Sequence, residues 1–403
     1  MKKALILGGG FAGTTTAYLL EREGWECTIL EKEDHLGGGC RTFFYGGHPF
    51  TYGPRVYYGY SDKVFRWLDS FVNIRRFPFE LLSYIEEEQR FFSYPIHEAD
   101  IPKMKNCDQI IKELESCDNS KEPKDFEEYW INKVGPSLYN MFVNQYSKKM
   151  WMIDSNKTFD IFKWSAKDKP IETGSKEAYK GSYIGYPVPI DGYNSYFDQM
   201  TSNIKLVLGE NIKQVSLEDK SVKLTDGTTL KGDILISTIP VDELCAYQLG
   251  ELPYAGRDFQ VFVLPCKQVF PGDVRFCHYT GKEPYTRITE FKKITYYEAE
   301  DSLLVAEFPS HANKLYPYLT KKNVKIVDQY LNLLPENIFS IGRLGTYKYS
   351  TIEQTIVQAF DAFAKITGKS LDGMEDEFFG IGDTSLLTKS RRENTATKER
   401  VRG

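Results

Sequence analysis

Lys3-Ala4-Leu5-Ile6-Leu7-Gly8-Gly9-Gly10-Phe11-Ala12-Gly13 is the stretch on which the fold turns. The apolar run to Leu7 reads as a buried parallel strand, and Gly8, Gly10 and Gly13 follow with G-x-G-x-x-G spacing. The first glycine permits a tight turn, the second lets backbone approach a pyrophosphate, and the third lets the next helix pack on the strand. Residues 14–23 continue in a helical pattern, so free N–H groups and the helix dipole would face an anion. Residues 27–30 form a second strand that ends at Glu31, 18 residues beyond Gly13. A carboxylate there can accept hydrogen bonds from a ribose diol. Strand, glycines, helix, strand and acid together make a dinucleotide-binding βαβ unit.

Working outward, 403 residues suggest two to three domains at roughly 150 residues each. Hydrophobic residues are 41% and charged residues 27%, which is ordinary globular usage and excludes a disordered, collagen-like or coiled-coil chain. The net charge of −5 leaves no basic footprint for nucleic acid. No apolar run reaches the roughly 18 residues of a membrane span, and Ala4–Leu7 is too short for a signal peptide. Seven cysteines without C-x-x-C spacing read as reduced thiols of a cytoplasmic protein, and five histidines without H-x-x-x-H pairing indicate no metal site. Aromatic residues make 14%; most fill the core, but a surplus of Tyr also suits a polar cleft.

The pattern along the chain predicts an α/β protein: a Rossmann-like dinucleotide-binding domain with a helical insertion and an antiparallel sheet domain. The dinucleotide-binding domain is drawn from residues 1–65, 200–255 and 335–375, with strands at 205–208, 212–217, 221–224, 233–237 and 338–342. A helix is expected over 63–71 and another over 352–367. Residues 101–165 read as a helical substrate domain broken by Pro123 and Pro136. Residues 66–100, 166–199 and 256–334 form the antiparallel sheet and substrate domain, with strands near 259–264, 286–291 and 303–308. Within it 166–186 is expected to be a mobile loop, and 376–403 a polar tail.

The choice between nicotinamide and flavin falls to Glu31-Lys32-Glu33-Asp34-His35-Leu36-Gly37-Gly38-Gly39-Cys40-Arg41. Paired glycines six residues after the ribose acid resemble the second signature of the glutathione-reductase and amine-oxidase type of flavoprotein. Asp233–Pro240 resembles a later strand of that fold, and Gly342-Arg343 its flavin-contacting turn. FAD is therefore the expected cofactor, with Gly8, Gly10, Phe11, Ala12, Gly13, Glu31, Lys32, Gly38, Gly39, Arg343 and Tyr349 as its expected contacts.

Further patches resemble the UDP-galactopyranose mutase family, of which the chain would be a divergent member. They are Gly342–Tyr349 with Gln354, Pro284-Tyr285-Thr286-Arg287 with Glu290, Tyr146–Trp151, and Tyr52-Gly53-Pro54. The resemblance implies an isomerase that interconverts pyranose and furanose forms of a nucleotide-diphosphate sugar, UDP-galactose or a related one, through a covalent flavin N5–sugar adduct on reduced flavin. It also implies a homodimer, a cytoplasmic setting and furanose units such as galactofuranose for polysaccharide biosynthesis. Carried over residue by residue, Arg287, Tyr349 and Tyr316 (or Tyr318) match groups that bind the diphosphate. Tyr146 matches the tyrosine stacked on uracil, Phe142 can flank it one helical turn away, and Trp151 matches a tryptophan near the sugar.

The departures are as informative. Arg55 stands where the family has a histidine against the flavin, Tyr58 replaces a second histidine, and Thr351 replaces an acid. The loop 166–186 lacks the family's arginine and offers only Lys167, Lys169, Lys176 and Lys180. These changes make the sugar surroundings more positive by about two charges, which suggests a sugar other than galactose; Arg55 could instead tune the flavin. Two rivals stay open. A flavin oxidase or dehydrogenase of the amine-oxidase type shares the N-terminal signatures, and Arg287 and Tyr349 argue against it. A non-catalytic flavin-bound module draws support from Arg55, Tyr58 and Thr351 alone.

Overall fold

Short strands far apart in sequence assemble the first sheet. The computed structural model describes residues 1–118, 120, 122–161 and 171–372. Its parallel sheet runs in the order Lys205–Leu208, Glu26–Glu31, Lys3–Leu7, Ile234–Ser237 and Ile338–Ser340. Leu5, Ile6, Leu7, Leu235 and Ile236 are almost fully buried, which is why these strands read as continuous apolar runs rather than alternating ones. Helices Phe11–Arg22 and Ile352–Thr367 pack together beside this sheet. A meander of Ile212–Ser216, Ser221–Leu224 and Thr229–Lys231 is inserted before its fourth strand.

A second sheet has the order Tyr316–Pro317, Tyr254–Leu264, Ser302–Ser310, Arg287–Glu290, Val274–Tyr279, Glu80–Ile85 and Arg90–Tyr94. All its pairings are antiparallel except that of Val274–Tyr279 with Glu80–Ile85. Its helical neighbour comprises Cys107–Glu115, Phe126–Tyr139 and Gln145–Trp151. Gly135, at φ 77°, breaks the second helix just before Pro136, and a wide turn over Asn140–Asn144 leads into the third.

Two domain assignments shift. Helix Asp62–Val72 straddles the boundary placed at 65/66, and residues 194–200 form a helix not anticipated within 166–199. Both belong against the glycine-rich helix. Phe11 packs on Tyr193, Tyr196 and Phe197, while the Tyr196 hydroxyl meets Thr15 at 2.7 Å and accepts from the Trp67 indole at 3.0 Å. The mobile loop also needs correction. Residues 162–170 lie outside the described residues, but 171–186 is tied down. Glu172 bridges to His97, Lys176 pairs with buried Asp100 at 2.9 Å, and Tyr183–Pro187 is a strand between Tyr57–Gly59 and Ile74–Arg76. The tail 376–403 lies outside the described residues.

Candidate active site

The glycine stretch folds as a cradle. Gly8 has φ +102° and lies so close to Thr238 that a Cβ would stand 2.1 Å from its hydroxyl oxygen; a Cβ on Gly13 would stand 2.0 Å from the Gly8 carbonyl. A Cβ on Gly10 would meet nothing within 4 Å, and one on Gly38 would come no nearer than 3.9 Å to Gly10. Open space therefore lies at the N-terminus of helix Phe11–Arg22, which no side chain caps. Glu31, at the end of its strand, accepts the Gly9 N–H at 2.8 Å and the Glu33 N–H at 3.1 Å, so its carboxylate is fixed beside the turn. Gly342, also left-handed, approaches Ala12 from the far end of the sheet. These residues fit a dinucleotide whose pyrophosphate rests on the helix end. The Phe11 ring is turned into the aromatic core, so only its backbone faces the helix end. Lys32 is displaced from the expected contacts: its side chain is exposed and pairs with Glu33.

Next to the cradle the second sheet supplies charge. Register places Phe259, Glu307, Arg287 and His278 in one row across four strands. Arg287 grips buried Glu307 in a bidentate pair, both N–H···O distances being 2.7 Å. Burial opposes the Arg287 charge, but Glu307 holds its pKa well above the ordinary value. Arg55 joins cradle to sheet: its Nε–H donates to the Gly39 carbonyl at 2.9 Å, and its charge interacts with Tyr316 and Glu307. Tyr316 and Tyr349 stack at 5.5 Å and 20°, and the Arg343 guanidinium lies over both rings while donating to the Ser350 carbonyl. Burial resists ionisation of Tyr316, yet Arg55 and Arg257 draw its pKa below the usual phenol value. Burial, followed by Tyr316, pushes Tyr349 up.

Arg55, Arg287, Arg343, Tyr316, Tyr349 and Tyr146 thus come together. Tyr146 is edged by His278 and feels the Arg287 and Arg257 charges, while buried Trp151 sets its ring edge-on to Tyr316 at 6.2 Å. Other expected substrate contacts do not join them. Phe142 is core, packed with Phe92, because the wide turn over Asn140–Asn144 breaks its spacing from Tyr146. The Tyr318 hydroxyl donates to the Trp151 carbonyl, so of the two alternatives Tyr316 faces the arginines. Thr351 caps helix Ile352–Thr367 in a reciprocal box with Gln354, which occupies its side chain. Lys176 and Lys180 are paired with Asp100 and Glu172; Lys167 and Lys169 lie outside the described residues.

Three residues of the cluster escaped the sequence reading. Glu307 is an acid inside the apolar strand Ser302–Ser310, and Arg257 a base inside Tyr254–Leu264; a charge within such a run was the available signal. Tyr179, left-handed at φ 61°, sets its ring 4.8 Å from Tyr58 and interacts electrostatically with Tyr349 and Arg287. Among the described residues no group of three or more His, Cys, Asp or Glu is placed to hold a metal ion, and no helix is long and apolar enough to cross a membrane.

Compared with known proteins, residues 141–349 match a family model described as UDP-galactopyranose mutase, which spans more than half of the chain. The chain belongs to the UDP-galactopyranose mutase family. It is an isomerase of the mutase kind with a flavin-binding domain; residues 6–71 also match an NAD(P)-binding Rossmann-like domain. The family member is 26% identical over 382 residues to a dTDP-fucopyranose mutase of Escherichia coli, covering 90% of this chain and 97% of that one. It is 22% identical over 398 residues to a UDP-galactopyranose mutase of Mycoplasma genitalium, covering 88% and 92%. In fold, a reduced UDP-galactopyranose mutase crystal structure superposes with a TM-score of 0.76 at 16% identity, covering 96% of this mutase and 98% of that chain.

Proposed function

We propose that this protein interconverts the pyranose and furanose forms of a nucleotide-diphosphate sugar, with reduced FAD in the glycine cradle. The observation that carries the reading is the gathering of Arg55, Arg257, Arg287 and Arg343 around the stacked Tyr316 and Tyr349, with Glu307 as the carboxylate among them. Such a basic cluster with phenol hydroxyls suits a substrate whose leaving group is a diphosphate. Bound in its reduced form, FAD would supply the electron-rich centre for displacement at the anomeric carbon.

This chain's own residues bind and orient. Arg287, held at a fixed angle by Glu307, and Arg343, held by the Ser350 carbonyl, neutralise the departing diphosphate and keep it close for return. Tyr316 and Tyr349 donate hydroxyls to its oxygens, with Tyr316 the more acidic donor. Tyr146 offers a face to the base, and Trp151 closes the sugar end. Arg55 joins the cofactor cradle to the sugar site through Gly39. With Thr351 assigned to a helix cap, the extra positive charge rests on Arg55, and it supports a sugar other than galactose. The names of the relatives fit a family in which the sugar varies.

The test is an anaerobic incubation with UDP-, GDP- and dTDP-sugars, with and without dithionite, analysed for isobaric products. An isomer formed only on reduced flavin supports the reading and names the sugar. Substrate-dependent bleaching of oxidised flavin with no isomer would establish the oxidase alternative instead.

A further inference from the structure

We propose that Arg257 is a further substrate-binding residue, a strand-borne guanidinium that grips the diphosphate between the base-side Tyr146 and Tyr316. The inference rests on the nucleotide-sugar reading and deepens it. Arg257 is 2% exposed, yet among the described residues it has no carboxylate partner. Its side chain donates to the Gly256 carbonyl and lies 4.9 Å from the Tyr316 ring centroid. A buried guanidinium held this way keeps most of its donors for something else, and its desolvation is offset only when an anion arrives.

Register explains why Glu307 does not neutralise it. Phe259 is the residue directly opposite Glu307, and Arg257 is opposite Pro309. Arg257 is therefore a diagonal neighbour of Glu307, about 7–8 Å away in a regular pair, while both Glu307 oxygens are taken by Arg287. Alternation along the strand puts Arg257 on the face of Ala255, which packs with Trp151 and Tyr316. Its charge acts on Tyr146, Tyr316 and Tyr318, that is, on both ends of the expected diphosphate position. The backbone behind it is clamped, since Asn313 accepts the Arg257 N–H at 3.0 Å and donates to its carbonyl at 2.8 Å. The grip is accordingly built into the sheet. In the neighbouring segment 171–186 there is no arginine, and its Lys176 and Lys180 are committed elsewhere.

The experiment measures equilibrium binding of UDP, dTDP, GDP, uridine and thymidine to flavin-loaded protein, for the wild type, Arg257→Met and Arg257→Lys. Methionine keeps an unbranched chain against Tyr316, and lysine keeps the charge without the fork. Diphosphate affinity should fall about tenfold or more in Arg257→Met and by less in Arg257→Lys, with nucleoside affinity unchanged. Diphosphate affinity within about twofold of wild type in both variants, or an equal loss for nucleoside and diphosphate, would overturn the assignment. Should the methionine variant fail to retain flavin, the lysine variant decides by the same comparison. A wild type that binds none of UDP, dTDP and GDP overturns the nucleotide-sugar reading, and the assignment with it.

Discussion

Arg287 and Glu307 face each other on adjacent strands, and the pair is nearly dry, with side chains 17% and 2% exposed. Removing one partner of such a pair leaves the other charge uncompensated. Glu307→Gln should therefore lower stability by about 3 kcal/mol, read as a fall in the urea midpoint; a change below about 1 kcal/mol would mean that water reaches the pair. Arg287 was legible because the short motif Pro284-Tyr285-Thr286-Arg287 carries it locally. Glu307 and Arg257 were not, since their roles come from register between strands distant in sequence, and no local pattern states which residue of one strand will stand beside which residue of another.

At the scale of elements, helix Ile352–Thr367 was fully readable. Thr351-x-x-Gln354 opens it, apolar positions recur at helical spacing, and left-handed Gly368 ends it. Thr351→Ala should cost about 1 kcal/mol of stability, seen in thermal melting, while UDP affinity stays as in the wild type; a selective loss of UDP binding would return Thr351 to the substrate site. By contrast, helix Lys321–Asn332 was not anticipated. It carries three lysines, and among the described residues it buries only Asn323, Val327 and Tyr330, so its apolar stripe is thin. The strand Tyr183–Pro187 hid in a segment rich in glycine and lysine, where its edges are supplied by Tyr57–Gly59 and Ile74–Arg76 rather than by its own sequence.

Across the whole molecule, side chains tie together segments distant in sequence, and Asp100 is one of those that do so. It is buried, accepts the Ser93 N–H at 2.9 Å, and pairs with Lys103 at 2.7 Å and Lys176 at 2.9 Å. Burial resists its charge, but the two lysines and the Ser93 N–H hold its pKa well below the ordinary carboxylate range. A lowered folded-state pKa gives stability that is present above the unfolded value, about 4, and is lost as pH falls towards the folded value. Asp100→Asn should thus cost about 2 kcal/mol at pH 7, and the gap to wild type should narrow below about pH 4; urea titrations at the two pH values check it. The parallel sheet has a different kind of connectivity. Ala4 pairs with Ile234, and Leu235 in turn pairs with Ile338, so the central strand waits for one of its two partners until residue 234 is made, and that partner waits for another at residue 338. Gly342, which completes the glycine cradle, comes later still. A nascent chain on the ribosome cannot complete this sheet or its glycine cradle until residue 342 has been made, so flavin loading should follow synthesis of that stretch, and until then the early strands wait with unpaired edges.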